Sequence, residues 1–188
     1  MVRRIHDFEP PERFVAGAVG DPGGRTFYLQ ARRGTELVSV ALEKAQVALL
    51  AERLSLLLAE IERRGVSESV PATATDAELE EPVDEAFRVG TLSLSWDGER
   101  PIVAIEAQAM REEDETEDEP GERDWADDDP AGPDVLRVHI SMADAEAFSR
   151  RAQEVVSAGR PLCPMCGQPL DPMGHLCPRR NGHVAYLN

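Results

Sequence analysis

The sequence predicts an α+β protein: an internally duplicated β-β-β-α unit forming one mainly antiparallel sheet with two packed helices, then a small C-terminal zinc knuckle. Three observations carry this. Short alternating apolar runs divided by glycine turns occur twice. Each set is followed by a stretch of helical period. All three cysteines fall between positions 163 and 177.

Residues 1–12 predict a short strand and a turn around Pro10-Pro11. Arg13 to Val19 follows as a strand, and Gly20-Asp21-Pro22-Gly23-Gly24 supplies the backbone angles of a hairpin turn. Thr26 to Ala31 is the return strand, Arg33-Gly34 a tight turn, and Leu37 to Leu42 a third strand. From Glu43 to about Arg64 the period becomes helical: Val47, Leu50, Leu54, Leu57, Leu58 and Ile61 form one apolar face, and Gly65 ends it. Residues 66–85 are polar, hold two prolines and read as a linker.

The pattern then returns. Phe87-Arg88-Val89-Gly90 echoes Phe14 to Gly17, Leu92 to Trp96 alternates as a strand, Asp97-Gly98 turns, and Ile102 to Ala107 comes back. Val135 to Ile140 matches the earlier third strand, and Ser141 caps a helix presenting Ala145, Phe148, Ala152, Val155 and Val156. The strand-plus-helix parts align at an offset of 98 (Leu37 with Val135, Leu50 with Phe148); the hairpins align at 73 (Phe14 with Phe87) and 76 (Gln30 with Glu106). The excess of 22 is an insertion ahead of the last strand. One unit cannot cover its own helix face, whereas two share a core, here related by a pseudo-two-fold. The expected organisation is a first repeat over 1–65, a linker over 66–85, a second repeat over 86–158 with an acidic disordered insertion at 112–133, and a zinc-binding tail over 159–188.

The formal net charge is −16, and residues 112–129 hold twelve carboxylates against Arg123, a net of −11. Such a segment repels itself and has little but Trp125 to bury. The acids do not follow a calcium loop, which needs a central glycine and a closing glutamate. The overall charge argues against general nucleic-acid binding, which needs a basic face. There is no apolar run long enough for a membrane span, no apolar signal segment at the N-terminus, and an odd cysteine count unsuited to a disulfide framework. These point to a cytoplasmic setting.

Cys163-Pro164-Met165-Cys166-Gly167 has the shape of a zinc knuckle, with two thiolates able to clamp one ion and a glycine for the turn. Cys177 adds a third thiolate, and one imidazole completes a tetrahedral Cys₃His set. Thiolates favour zinc over hard cations. His175, in the compact turn opened by Gly174, is the favoured fourth ligand; His183 is the alternative. A redox use of the C-x-x-C pair requires a helix opening after a strand, and Pro161 and Pro169 oppose that. A site with four protein ligands has no open position, so its work is to fold the tail. Arg160, Arg179 and Arg180 make the tail locally basic.

No phosphate loop or nucleophile elbow is present, and His6 and His139 stand apart in sequence. Glu36, Glu43 and Glu106 are carboxylates whose gathering depends on the fold. Arg13, Arg25 and Arg32 are the arginines placed to hold a phosphorylated small molecule between the repeats.

Several stretches carry a family resemblance. They are Arg13-Phe14-Val15-Ala16-Gly17, Arg25 to Ala31, Val40 to Val47 with Leu50 to Leu54, and the tail Cys163-Pro164-x-Cys166-Gly167-x-Pro169-Leu170-Asp171-Pro172-x-Gly174-His175-x-Cys177-Pro178-Arg179-x-Asn181-Gly182. The chain resembles an actinobacterial domain-of-unknown-function family numbered 3090. The resemblance implies no established activity. It implies genes encoded beside a histidine-phosphatase-like (phosphomutase-like) protein and a phosphatidylinositol-kinase-like protein, hence partners in a phosphotransfer-related set. Together these features predict a non-catalytic binding or adaptor protein with a structural zinc site. A small-molecule enzyme or binder at the inter-repeat groove is the alternative, and a nucleic-acid-binding zinc protein ranks third.

Overall fold

The computed structural model describes residues 3–21, 23–66, 78–96, 98, 100–111, 129–158, 163–167, 170, 177 and 179. Its elements are β1 (Ile5–Phe8), β2 (Arg13–Val19), β3 (Thr26–Arg33), β4 (Glu36–Leu42), α1 (Lys44–Arg63), β5 (Glu85–Trp96), β6 (Ile102–Ala109), β7 (Val135–Ser141) and α2 (Met142–Ser157). The architecture is α+β. All strands lie in one seven-stranded sheet of order β1-β7-β6-β5-β4-β3-β2. The sheet is mixed. The two meanders are antiparallel throughout, whereas β1 joins β7 and β4 joins β5 in parallel.

The sequence expectation of three strands per unit misses β1 as a separate sheet member. β1 and β2 are the two edges, yet only residues 9–12 connect them. A connection that short spans at most about 18 Å, whereas a flat sheet of this size is about 29 Å across. The sheet must therefore curl, and twist accumulated at about 20–25° per strand turns its ends back on each other. The contacts agree. Arg33 Nη2 donates to the Asp7 carbonyl at 3.0 Å, and the Arg33 guanidinium lies 5.7 Å from the Phe8 ring centre.

Helices α1 and α2 fill the concave face. Alternation sends Phe14, Ala16, Phe27, Leu29, Val38 and Val40 inward, where they meet Val47, Leu54 and Ile61 of α1 and Phe148 and Ala152 of α2 in one core. Phe14 and Phe148 stack at 4.5 Å between ring centres. α1 opens with a capping box in which the Glu43 N–H donates to Gln46 Oε1, and Gly65, at φ +80°, ends it. Ser141 caps α2 by accepting from the Asp144 N–H at 3.0 Å. Val156, assigned to the buried face of α2, is only partly buried, while Met142, Ala147 and Ser149 are buried there. The helices touch through Ser149 Oγ, which donates to the Ala51 carbonyl at 2.8 Å, and through Gln153 Nε2, which donates to Ser55 Oγ at 3.4 Å. In both bonds the partners are 98 positions apart.

The offsets can be compared with strand register. Leu29 faces Val40 and Ile105 faces Val138, which reproduces 76 and 98 together. The offset of 73 does not fit: Phe14 faces Ala31, and the residue facing Ala107 is Leu92, not Phe87. Phe87 instead faces Val40, while Phe8 faces Val138. The first half of β5 thus sits beside β4 as β1 sits beside β7. A shift near Gly90 bends β5 between its two partners.

Of the acidic insertion, residues 112–128 lie outside the described residues, as do 67–77 of the linker. Asp129 to Gly132 forms a turn in which Asp129 Oδ1 accepts from the Ala131 N–H at 2.9 Å. Among the described residues no helix is long and apolar enough to cross a membrane.

Candidate functional site

The backbone at Cys163 to Gly167 makes one tight turn. The Gly167 N–H donates to the Cys163 carbonyl at 2.8 Å, and Gly167 adopts φ +73°, which favours glycine. Inside the turn the N–H groups of Cys166 and Met165 donate to the Cys163 sulfur. They hold its thiol below the usual range against the opposing effect of burial. Cys177 returns to the same place, with its Sγ 3.9 Å from that of Cys163, and the sulfurs of Cys163, Cys166 and Cys177 all lie within 4.8 Å of one another. Arg179 Nη1 donates to the Met165 carbonyl at 2.9 Å, tying the returning segment to the turn.

This donor set fits a thiolate-bound metal. Tetrahedral ligands about 2.3 Å from a zinc ion sit about 3.8 Å apart, close to the sulfur separation found. Cys163 and Cys177 are buried, and all three cysteines are free thiols. His175, His183, Arg160 and Arg180 lie outside the described residues.

The arginines are only partly gathered. Arg13 and Arg32 converge, but on Glu80: its Oε1 accepts from Arg13 Nη1 at 2.7 Å and from Arg32 Nη1 at 3.0 Å. Arg32 and Arg13 together hold the Glu80 carboxyl below its usual range. Arg25 stands elsewhere and donates to the Ala158 carbonyl at 2.6 Å. The carboxylates do not converge either. Glu36 meets His6 at 3.4 Å, Glu43 meets Arg88 at 3.1 Å, and Glu106 accepts from Arg137 at 2.9 Å. His139 is half-buried on the outer face of β7, 3.7 Å from Asp7.

Glu80 belongs to a stretch that crosses the outer face of β2 and β3, opposite the helices. Beneath it Gln30 is 1% exposed and donates through Nε2 to Ser39 Oγ at 3.0 Å and to the Glu80 carbonyl at 3.1 Å. Gln30 Oε1 accepts the Glu80 N–H at 2.8 Å. Leu79 covers Gly17.

A family model described as a protein of unknown function, DUF3090, matches residues 6–177. The chain belongs to the DUF3090 family. The match takes in both strand-and-helix units and all three cysteines. No curated protein and no solved structure matches the chain.

In this DUF3090 protein the spacing of Cys163, Cys166 and Cys177 signals their gathering, whereas no motif marks the residues over β2 and β3. Leu79 and Glu80 fall in the polar, proline-containing stretch 66–85 that reads as a linker, and Gln30 in the return strand Thr26 to Ala31. One local signal existed. A glycine inside a strand, here Gly17, marks a place where another segment approaches closely.

Proposed function

We propose that the protein is a non-catalytic binding or adaptor protein whose C-terminal tail is folded by a structural zinc ion. The observation that carries the metal is the approach of three cysteine sulfurs, two of them buried, to within 4.8 Å. Zinc is the ion favoured by a thiolate-rich set, and His175 is the proposed fourth ligand, with His183 the alternative. A closed Cys₃His set leaves no site for substrate, so the ion supplies cohesion to a tail with little core of its own. Metal analysis of protein purified without added zinc tests this. One equivalent of zinc is expected, retained in His183→Ala and lost in His175→Ala. A metal-free protein overturns the reading.

The duplicated β-β-β-α unit is part of the same proposal. Its support is the coincidence of the 76 and 98 offsets with strand register, the matching positions of Phe8 and Phe87, and helix contacts between residues 98 apart. A cytoplasmic location is proposed from the free thiols. The partners proposed are the neighbouring histidine-phosphatase-like and phosphatidylinositol-kinase-like proteins. Affinity capture from a mixture of the untagged neighbours is expected to retain at least one, and retention of neither overturns the adaptor role.

The second reading, a binder or enzyme for a small phosphorylated molecule, draws on the convergence of Arg13 and Arg32. Glu80 occupies both guanidinium groups, which favours the adaptor reading over this one.

A further inference from the structure

We propose that the outer face of β2 and β3 is a peptide-recognition seat for an extended segment carrying a leucine followed by a glutamate, and that Leu79-Glu80 of the linker is its resident occupant. This deepens the binding-protein reading by naming the chemistry of a partner, and it rests on none of the metal ligands.

The seat reads three things about its occupant. Gln30 reads the main chain. Its carboxamide accepts the Glu80 N–H at 2.8 Å and donates to the Glu80 carbonyl at 3.1 Å, so one buried side chain supplies the donor and acceptor that a neighbouring strand would supply. Ser39 Oγ, 3.0 Å from Gln30 Nε2, holds that carboxamide in place. Arg13 and Arg32 read the side chain by bonding one carboxylate oxygen at 2.7 and 3.0 Å. Gly17 reads the preceding residue. A β-carbon there would lie 2.4–2.9 Å from Cγ, Cδ1 and Cδ2 of Leu79, so its absence makes the leucine pocket.

Two features mark this as a seat with an exchangeable occupant. Among the described residues the occupant forms no strand, and Glu78 and Glu81 on either side of Leu79-Glu80 are exposed. The receiving groups are also more numerous than the occupant uses. Among the described residues Arg13 Nε is buried without a hydrogen-bond partner, a donor that an added acceptor relieves. The corresponding positions of the second unit differ. There Glu106 and Arg137 stand for Gln30 and Ser39 and satisfy each other at 2.9 Å, so the outward-reading carboxamide is particular to the first unit.

A tethered occupant competes at an effective concentration in the millimolar range. The seat therefore accepts a partner's peptide when the linker is drawn off it. The test uses the full chain and a fluorescent peptide of sequence Ala-Glu-Leu-Glu-Glu-Pro, read by anisotropy. The double variant Leu79→Ala/Glu80→Ala removes the two side chains that fill the seat and leaves the tethered segment only its main-chain bonds to Gln30. It is expected to bind the peptide at least about tenfold more tightly than the wild type does, as removal of a tethered competitor requires. Changing the glutamate after the peptide's leucine to glutamine should weaken binding at least about tenfold, because the two guanidinium contacts lose their charge partner. A folded double variant that ignores the peptide at about 1 mM, or binds both peptides alike, overturns the proposal.

If the double variant does not fold, wild-type protein answers by hydrogen exchange. Excess peptide captures the opened seat and should speed exchange of the Glu80 amide several-fold by mass action. An unchanged rate overturns the proposal. Neither result bears on capture of the neighbouring proteins, so failure of the seat and failure of the adaptor role are told apart.

Discussion

Gly17→Ala separates local strand preference from the tertiary role of the linker. By strand preference alone, alanine stabilises over glycine by about 0.5–1 kcal/mol. The structure predicts the opposite sign. The new methyl would stand 2.4, 2.7 and 2.9 Å from three carbons of Leu79, where an ordinary carbon contact is about 3.5–4.0 Å. The clash includes Cγ, so turning the end of the side chain does not clear it, and the segment must lift by about 1 Å. Overpacking of this kind costs about 1–3 kcal/mol. The net expectation is a loss of about 1–2 kcal/mol. At a slope of about 2 kcal/mol per molar urea, the unfolding midpoint falls by about 0.5–1 M. In a Leu79→Ala background the obstacle is gone, and Gly17→Ala should raise stability by about 0.5–1 kcal/mol. The cycle therefore carries a coupling of about 1–3 kcal/mol. If Gly17→Ala stabilises in both backgrounds, Leu79 does not rest on Gly17 and the seat argument fails with it.

Three further outcomes are expected. Cys163→Ser should abolish stoichiometric zinc in metal analysis and make the tail sensitive to limited proteolysis; full zinc retention would contradict the proposed ligand set. Glu80 has its folded pKa lowered by Arg32 and Arg13, so its stabilising contribution is full above the ordinary value of 4.5 and disappears as pH falls through the lowered one. The pH dependence of urea midpoints should accordingly flatten in Glu80→Gln between pH 5 and the acid limit, and an unaltered profile would deny the pairing. Phe148→Ala removes a ring that is 1% exposed and stacked on Phe14. It should reduce stability by about 3–5 kcal/mol in equilibrium unfolding, whereas a loss below about 1 kcal/mol would deny that α2 is anchored on the edge strand β2.

The elements were legible because their determinants are local. β2 over Arg13–Val19 matches the strand expected there, and α1 over Lys44–Arg63 lies within the predicted helix. Val47, Leu50, Leu54, Leu58 and Ile61 are buried as their spacing requires, while Leu57 is partly buried at the margin of the stripe. The cysteine turn was legible for the same reason, since a C-x-x-C-G run specifies its own backbone. Arg13 and Arg32 come together on Glu80 over the outer face of β2 and β3. Arg13 and Arg32 face each other across β2 and β3 by register, but Arg25, beyond the end of β3, has no such reason to join them.

By itself the sequence determined the α+β class, the succession of strands and helices, the inward faces of both units and the gathering of Cys163 with Cys166. All of these follow from side-chain period and turn chemistry within a few residues. Tertiary structure alone decided that β1 pairs with β7 and β4 with β5 in parallel, that the sheet curls until β1 lies against the end of β3, and that Leu79-Glu80 lies across β2 and β3. These depend on accumulated twist, on the reach of a four-residue connection and on the fit of one glycine to one leucine. Such quantities exist only once distant segments are brought together.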